Sequence, residues 1–91
     1  MYFVYILKSQ TANRYYIGCT QNLVKRVNVH NKGRNLSTKS GIPWELILYK
    51  AFLDKKEAFR AEKLIKSYKG GNQFKRILLG EVAEWSKAPH C

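Results

Sequence analysis

The sequence predicts an α+β fold, in which a small three-stranded antiparallel sheet is flanked by two main helices and a short third helix. Runs rich in β-branched and aromatic residues are typical of strands. Three such runs occur, at residues 2–8, 14–19 and 44–52. Apolar residues recur at helical spacing in two longer segments, 21–32 and 55–69, and a shorter helix is predicted over 72–79.

The first two strands are predicted to form an antiparallel hairpin. Residues 2–8 read YFVYILK, and a run with so few polar positions indicates a strand that is buried on both faces. The polar segment SQTANR follows and leads into the second strand, RYYIGC. Because strands joined by a polar turn pair with each other, we expect residues of the two strands to share one surface.

Capping signals mark the limits of the two main helices. Thr20 is the predicted N-cap of the first helix. The apolar stripe of this helix consists of Leu23, Val24 and Val27. Gly33 suits the left-handed residue that ends a helix. Asp54 and Glu57 have the spacing of a capping box at the start of the second helix.

The chain is strongly basic, with 17 Lys and Arg against 6 Asp and Glu and a formal net charge of +11. The excess extends from Lys8 to Arg76, so it belongs to the folded domain, which we place at residues 1–79. Such a surface attracts polyanions, of which nucleic acid is the commonest. The alternative is a basic protein that has no polyanion partner.

A basic loop at residues 33–43 is the segment that we expect to face a nucleic acid. It lacks periodicity and is rich in Gly, Ser, Asn and basic residues, which is typical of a surface loop. The candidate contacts are Lys25, Lys32, Arg34 and Lys39, together with Trp44 just after the loop. The alternative is a mobile connector without a binding role.

Cysteine usage and the N-terminus predict a cytoplasmic protein without membrane association. Cys19 and Cys91 provide neither a disulfide framework nor the spacing of a zinc site, so we expect reduced thiols. The first residues lack the pattern of a signal peptide. No apolar run approaches the ~20 residues of a membrane span.

Residues 80–91 differ in character from the rest of the chain. They carry two acids and one lysine and do not continue a helical pattern, so we predict a disordered tail. The peptide can be back-translated into the start of a serine-type transfer-RNA gene. We therefore hypothesise that the tail is non-native and arose when a reading frame lost its stop codon. A tail-coding sequence that cannot fold as a cloverleaf would contradict this, leaving an ordinary mobile terminus.

Two tyrosines in the predicted hairpin form the first part of a candidate site. Tyr5 lies in a Val-Tyr-Ile tripeptide and Tyr16 in a Tyr-Ile-Gly tripeptide. Pairing of the two strands would bring the phenols close together. Taken alone, both residues are more simply interpreted as core aromatics whose hydroxyls lie at the rim.

The first helix contributes polar residues at four-residue spacing. Asn22, Arg26 and His30 therefore line one face of it. A guanidinium makes planar, two-pronged contacts with phosphate oxygens, and a histidine one turn away can transfer a proton. The alternative is a solvated helix face on which Arg26 forms a surface ion pair.

The second helix carries one acid that its start does not explain. Residues 55–69 contain six basic residues but only two acids, and Glu57 is accounted for by capping. Glu62 lies beside the apolar stripe, where a carboxylate could ligate Mg²⁺ or Mn²⁺ through oxygen. An ion pair with Lys66, four residues later, is an equally good interpretation.

These motifs together resemble the GIY-YIG endonuclease superfamily. The shared pattern is two tyrosine tripeptides, an arginine ten residues after the second tyrosine, a histidine four residues later and a glutamate on a later helix. The resemblance covers about residues 1–69. It is nearest to small stand-alone members that are related to the N-terminal domain of the excinuclease of DNA excision repair.

The resemblance implies a role for each matching position. Tyr5 and Tyr16 match the tyrosines of the two family tripeptides. Arg26 matches the arginine that contacts the scissile phosphate. His30 takes the place of a residue near the attacking water, and Glu62 matches the single metal-binding glutamate.

Further positions are matched or depart from the family pattern. Gly18 matches a family glycine that allows close packing where the chain leaves the strand. Asn22 is given a structural role. Phe3 stands where the first tripeptide has glycine in its namesake form. Cys19 stands where the repair relatives carry a lysine, and Asn72 is the candidate for a late family asparagine.

The implied function is an endonuclease that uses one Mg²⁺ or Mn²⁺ ion to hydrolyse phosphodiester bonds of nucleic acid. DNA is the expected substrate in preference to RNA. Tyr5 would take a proton from the attacking water, directly or through a relay, provided that the metal and Arg26 lower its pKa. The sequence contains no recognition-helix signature or zinc finger, so we expect little intrinsic specificity and a protein partner that supplies it. The alternatives are a weak or inactive nucleic-acid-binding module, a subunit that is active only with its partner, and an RNA-associated basic protein.

Overall fold

A computed structural model describes residues 1–34, 38–69, 71–80 and 85–87 of the chain. The strands are β1 (Tyr2–Ser9), β2 (Tyr15–Thr20), β3 (Trp44–Phe52) and β4 (Ser86–Lys87). The helices are α1 (Leu23–Asn31), α2 (Lys55–Tyr68) and α3 (Asn72–Leu78), and residues Lys39–Gly41 form a 3₁₀ turn. The predicted α+β class is confirmed, with all three main strands and all three helices where the sequence indicates them.

The sheet is antiparallel and has the strand order β2-β1-β3-β4. The central position of β1 explains its composition, because both of its faces are covered. Residues 4–7 of this strand have no exposed surface at all. The prediction of a strand that is buried on both faces is therefore confirmed.

Successive side chains of β1 point to opposite faces and form the start of two separate cores. Val4 and Ile6 pack against the helices α2 and α3. The helical residues of this core are Ala58, Ile65, Phe74 and Ile77. Tyr5 and Leu7 lie on the other face, where Leu23 and Val27 of α1 pack against them. The sheet is thus a middle layer, with α1 on one side and the other two helices on the opposite side.

The N-terminus of α1 differs from the prediction. The helix begins at Leu23, and its N-cap is Asn22, whose side-chain oxygen accepts a hydrogen bond from the Lys25 N–H at 3.1 Å. Thr20 is the last residue of β2, and its hydroxyl accepts from the Asn22 N–H at 3.1 Å. The prediction of Thr20 as the cap is therefore wrong, and Val24, which is 75% exposed, does not belong to the apolar stripe.

The C-terminus of α1 ends as predicted at a left-handed glycine. Gly33 has a φ of 74°, which L-residues with a side chain rarely adopt. Its N–H donates to the His30 carbonyl at 3.2 Å, and the Arg34 N–H donates to the Val29 carbonyl at 3.4 Å. This pair of bonds is a Schellman motif, which satisfies carbonyls at the helix end and fixes the direction of the next segment.

The helix α2 starts at the predicted cap. The Asp54 carboxylate accepts from the Lys56 N–H at 2.9 Å, and the helix ends at Tyr68, one residue before the predicted limit. The short helix α3 follows and ends at Leu78, also one residue early.

The second half of the basic loop is anchored by buried residues, although Lys39 and Ser40 remain on the surface. Thr38 is fully buried, and its carbonyl accepts from the Trp44 indole N–H at 2.7 Å. Trp44 is itself only 3% exposed and belongs to the core that Tyr5 and Leu7 form with α1, which we call the α1-side core. The expectation that Trp44 faces a substrate is therefore wrong, because its ring is needed to fill this core. Residues 35–37 of the loop lie outside the described residues.

Part of the C-terminal tail pairs with the sheet. Ser86 and Lys87 form β4, in register with Tyr49 and Leu48 of β3. Trp85, just before this strand, packs partly buried against the α2-side core. Residues 85–87 therefore have partners in the sheet and the core, and the predicted disorder of the tail stays a prediction. Residues 81–84 and 88–91 lie outside the described residues, and the run-on origin of the tail stays a prediction.

Candidate active site

Two tyrosines from neighbouring strands meet on the α1 face of the sheet. Tyr5 of β1 lies directly opposite Gly18 of β2, and Tyr16 lies diagonally to it, opposite Leu7. The two ring centroids are 6.3 Å apart, with an interplanar angle of 37°. Tyr5 is fully buried, whereas Tyr16 is half-buried. The hairpin thus brings together the two phenols, as the sequence predicted, and leaves one of them accessible.

Gly18 is required by the close approach of Tyr5. A Cβ at this position would lie 2.6 Å from Tyr5 Cζ and would also clash with the hydroxyl oxygen. We expect Gly18→Ala to lower the free energy of unfolding by about 1–3 kcal/mol, which is the usual cost of overpacking a buried site. Urea unfolding measures this loss. Gly71→Ala is the matched control, because a Cβ there meets only the Tyr68 carbonyl oxygen, at 3.3 Å, and equal losses at both positions would contradict the account.

A chain of hydrogen bonds connects Tyr5 to α1 and the basic loop. Arg26 Nε lies 3.4 Å from Tyr5 Oη, which lies 3.0 Å from His30 Nε2. His30 Nδ1 lies 2.8 Å from Thr38 Oγ1. A guanidinium can only donate, so Tyr5 accepts from Arg26 and donates its own proton to His30. His30 is then the tautomer with its proton on Nδ1, which it donates to Thr38.

Thr38 is a residue of this network that sequence reasoning missed. Its side chain is fully buried and fixes the ring of His30 through the hydrogen bond to Nδ1. The ring centroids of Tyr5 and Tyr16 lie 6.1 and 4.7 Å from that of His30. A threonine in a polar, aperiodic loop carries no signal of burial. Only the packing of the loop against α1 shows that Thr38 positions the histidine.

Asn22, the third member of the predicted helix face, is used differently. It caps α1, and so has a structural role that fixes where the helix starts and thereby where Arg26 points. Phe3, at the position of the family glycine, packs edge-to-face against Tyr49 with centroids 6.3 Å apart. Asn72, the candidate late asparagine, is the exposed first residue of α3.

Burial sets the protonation states of the cluster. It raises the pKa of Tyr5 to about 12, and the bond from Arg26 offsets this only in part. Burial and the charge of Arg26 lower the pKa of His30. The bond to Tyr5 raises the pKa of Arg26, and Tyr16 acts in the same direction. At neutral pH the cluster therefore holds a phenol, a neutral imidazole and a guanidinium. Arg26 alone does not lower the pKa of Tyr5 below its usual value, and a lowering by Arg26 together with a bound metal stays a prediction.

The lowered pKa of His30 predicts a loss of stability in acid. Between the lowered pKa of the folded protein and the usual value of about 6.5, the unfolded chain binds a proton at this residue and the folded chain does not. The free energy of unfolding therefore falls as the pH drops below about 6.5. Chemical unfolding between pH 7 and pH 5 should show a shallower fall for His30→Gln than for the wild type. His90→Gln is the control, and an equal change in both variants would contradict the assignment.

Glu62 lies within electrostatic range of Tyr5, although α2 packs on the opposite face of the sheet from α1. Its carboxylate adds to the burial that raises the pKa of Tyr5, and it is the second cause, after burial, of the raised pKa of Cys19. The side chain is 20% exposed, so it is accessible to water. Glu62 Oε2 accepts from Lys66 Nζ at 2.8 Å, so the ion pair that was the alternative interpretation is present. An exposed pair of this kind contributes little stability and leaves Glu62 free to exchange its cation.

The chemistry around Glu62 fits a hard divalent cation. The donor is a carboxylate oxygen, the kind of ligand that Mg²⁺ and Mn²⁺ prefer, and it already pairs with one cation, the ammonium group of Lys66. Within the described ranges, no group of three or more His, Cys, Asp and Glu side chains converges that could enclose a metal. An ion here would therefore take its remaining ligands from water and from phosphate oxygens, as Mg²⁺ commonly does.

A basic groove of about 370 Å³ runs along α1 beside the cluster. It is lined by three of the four predicted nucleic-acid contacts, Lys25, Lys32 and Arg34. A smaller depression of about 220 Å³ shares Lys25 with this groove and extends it to Arg26. Lys39 is exposed on the 3₁₀ turn, and its Cγ would lie 3.7 Å from a Cβ at Gly33, close to the end of the groove. Lys25, Lys32 and Arg34 thus line a surface that continues from the guanidinium of Arg26 along α1.

A sheet covered by helices on both faces, with two phenols, a guanidinium and a carboxylate around one edge strand, defines a class of catalytic domain. The family model described as the GIY-YIG catalytic domain matches residues 1–76, and the chain belongs to that family. The resemblance drawn from the tyrosine motifs is therefore confirmed. The family implies nuclease-type activity and nucleic-acid binding in general, and its nucleases typically use divalent metal ions.

The similar proteins are small as well. The chain is 35% identical over 68 residues to a UPF0213 protein of Streptococcus pneumoniae, a match that covers 74% of this chain and 68% of that protein. It is 42% identical over 62 residues to the UPF0213 protein YazA of Bacillus subtilis, covering 67% of this chain and 62% of YazA. A UPF0213 protein of Staphylococcus haemolyticus is 35% identical over 77 residues, covering 84% and 93%. Among the described residues, no helix has both the length and the apolar character needed to cross a bilayer.

Proposed function

We propose that this protein is a metal-dependent endonuclease that hydrolyses phosphodiester bonds of DNA with little intrinsic sequence specificity. The observation that carries the proposal is the meeting of Arg26 with Tyr5 and His30, with the carboxylate of Glu62 near enough to affect the pKa of Tyr5. These side chains come from three separate elements, and a purely structural core does not need a guanidinium, a buried histidine and a carboxylate together.

Arg26 is proposed to bind the phosphate that is cleaved. Its bond to Tyr5 is long, at 3.4 Å, and is therefore weak enough to be exchanged for charged phosphate oxygens. The side chain lies in the depression that continues into the basic groove, so a phosphate that enters there reaches it directly. Because Tyr5 already holds the guanidinium near this depression, Arg26 needs little reorganisation to stabilise the negative charge that develops at phosphorus.

Tyr5 and His30 are proposed to form a proton relay instead of a single base. When Arg26 turns to the phosphate, one lone pair on Tyr5 Oη becomes available to the attacking water. The phenol oxygen accepts a proton from the water while its own proton passes to His30 Nε2, 3.0 Å away. Thr38 holds the histidine in the tautomer that can accept this proton. The half-buried Tyr16 lies at the open side, where its hydroxyl can orient the water or the phosphate.

Glu62 is proposed to hold one Mg²⁺ or Mn²⁺ ion. When bound, this ion supplies Lewis-acid stabilisation to the phosphate and to the leaving oxygen. Lys66 leaves Glu62 on binding and remains nearby as an exposed cation, available to the substrate backbone. Specificity is not encoded in these contacts, since phosphates carry no sequence information, and we propose that a protein partner supplies it. Affinity should fall steeply as the salt concentration rises.

A nicking assay on supercoiled plasmid tests the proposed function directly. We expect the purified chain to convert supercoiled DNA to open circles in the presence of Mn²⁺ or Mg²⁺. Excess EDTA should abolish the reaction, and restoring the metal should recover it. The resting cluster, with Tyr5 buried and Glu62 paired with Lys66, also suits a nucleic-acid-binding module that cleaves nothing. Tight, salt-sensitive DNA binding without metal-dependent nicking would favour that second function and contradict the first.

A further inference from the structure

A further cavity lies away from the catalytic cluster, at the turn end of the β1–β2 hairpin. Its volume is about 430 Å³, and its walls come from the hairpin, the end of α2 and the helix α3. We propose that this cavity binds a single-stranded segment of the nucleic acid that the active site cleaves, holding a base against its aromatic wall and phosphates on its lysines. The identity of the polymer rests on the proposed function, but the binding itself does not require cleavage.

The inner wall of the cavity is aromatic and preformed. The rings of Tyr15 and Phe74 pack edge-to-face, with centroids 5.4 Å apart and planes at 80°. Phe74 is only 3% exposed, whereas Tyr15 and Leu78 are half-buried and present part of their surface to the cavity. Because core packing holds these side chains in place, a base that stacks against them loses little ordering entropy.

The charged residues that line the cavity are all cations among the described residues, namely Arg14, Lys69 and Lys75. Arg14 already donates to Ser40 Oγ at 2.7 Å, so the exposed Lys69 and Lys75 are the candidate phosphate contacts. An aromatic wall beside two ammonium groups matches the flat base and the charged backbone of a nucleotide. A chain with a net charge of +11 is already suited to that same polymer.

The cavity and the active site lie on opposite faces of one edge strand. Neighbouring residues of a strand point to opposite faces, so Tyr15 lines the cavity while Tyr16 lies beside Tyr5. Gly18 is three residues after Tyr15, a distance of about 10 Å along β2. Since β2 has an open edge, one flexible strand can bend around it and contact both sites. The preferred substrate is therefore a nucleic acid with unpaired nucleotides close to the cut.

Binding of fluorescent oligothymidylate without metal tests the aromatic part of the proposal. Tyr15→Leu should weaken binding about fivefold or more, because stacking is worth about 1–3 kcal/mol per base. Tyr15→Phe keeps the ring and should bind like the wild type. Thermal unfolding establishes that both variants are folded. Equal affinities of the Leu and Phe variants would overturn the aromatic contact.

The lysines give a second test that does not disturb the core. Lys75→Gln should lower the slope of log affinity against log salt by about 0.7, the value for one phosphate contact on a single strand. Lys56 is exposed in the first turn of α2 and does not line the cavity, so Lys56→Gln should leave the slope unchanged. Equal slopes for the two variants would overturn the proposal. Competition by polyglutamate, at the same concentration of charges as the oligothymidylate, would also overturn it, because it would indicate a protein-docking surface. Loss of binding in Lys75→Gln without any nicking by the wild type would reject the nuclease function and keep the binding site.

Discussion

Replacing Glu62 with alanine is expected to reduce metal-dependent cleavage about 10³-fold or more while the protein stays folded. Lewis-acid stabilisation of a phosphoryl transition state is worth several kcal/mol, and among the described residues no group of three or more potential side-chain ligands converges that could retain the ion without Glu62. The side chain is partly exposed and its ion pair with Lys66 is a surface contact, so its loss should hardly change stability. Initial rates of plasmid nicking at saturating Mn²⁺ measure the effect.

Glu57→Ala is the matched control for this variant. Glu57 lies on the same helix, is exposed and belongs to its first turn, so its removal tests the loss of a carboxylate without loss of the proposed ligand. We expect it to keep wild-type activity within about a factor of two, since surface substitutions of this kind rarely matter. Comparable losses in both variants, or near-normal activity of Glu62→Ala, would remove Glu62 from the site.

Arg26→Ala is expected to lower the cleavage rate about 10²-fold, because it removes one preorganised donor from the developing charge at phosphorus. Substrate affinity should also weaken, since the side chain lies in the depression that joins the basic groove. The variant removes the hydrogen bond that Tyr5 Oη accepts from Arg26, so circular dichroism and urea unfolding must accompany the rate. Single-turnover cleavage at saturating enzyme separates the loss of chemistry from the loss of binding.

Two further variants distinguish the guanidinium from its charge. Arg26→Lys keeps one positive charge but loses the planar fork, so we expect only partial recovery relative to alanine. Arg60→Ala removes an exposed arginine of α2 and should cleave at the wild-type rate. Full activity of Arg26→Ala would show that another residue holds the phosphate. The proposed relay would then be contradicted, because it starts when Arg26 leaves Tyr5 for the phosphate.

The resting state of the cluster holds each reactive group in a pair that substrate or metal must break. Arg26 is bonded to Tyr5, and Lys66 is bonded to Glu62. Both replacements are favourable when the new partner carries more charge, namely a phosphate for the guanidinium and a divalent ion for the carboxylate. Burial keeps Tyr5 as a phenol. Its oxygen becomes available to a water proton only when Arg26 exchanges Tyr5 for a phosphate, which links proton transfer to substrate binding.

The parts of the fold that follow from local pattern could be predicted from the sequence. The apolar run of β1 requires a central strand, and the four-residue spacing of Arg26 and His30 requires one helix face. Once the hairpin pairs, alternation places Tyr5 and Tyr16 on the same side as that helix. Gly33 ends α1 for a reason that is fully local, the left-handed backbone conformation.

Other features depend on long-range packing and carry no local signal. Thr38 and Trp44 sit in or next to a polar segment, yet the contact with α1 buries both of them. The proximity of Arg26 by itself predicts a lowered pKa for Tyr5, but burial outweighs that single charge. The cap of α1 is Asn22 and not Thr20 because the pairing of β2 with β1 extends through Thr20.

Manganese-induced broadening of backbone amide signals in NMR spectra tests the central claim most directly, because it locates the cation independently of catalysis. A paramagnetic ion bound at Glu62 should first broaden the signals of α2 around this residue and those of residues 18–20 in β2, and Glu62→Ala should remove the effect. Broadening that is centred on another part of the chain, or that persists unchanged in Glu62→Ala, would contradict a metal-dependent site built from Glu62, Arg26 and the two tyrosines.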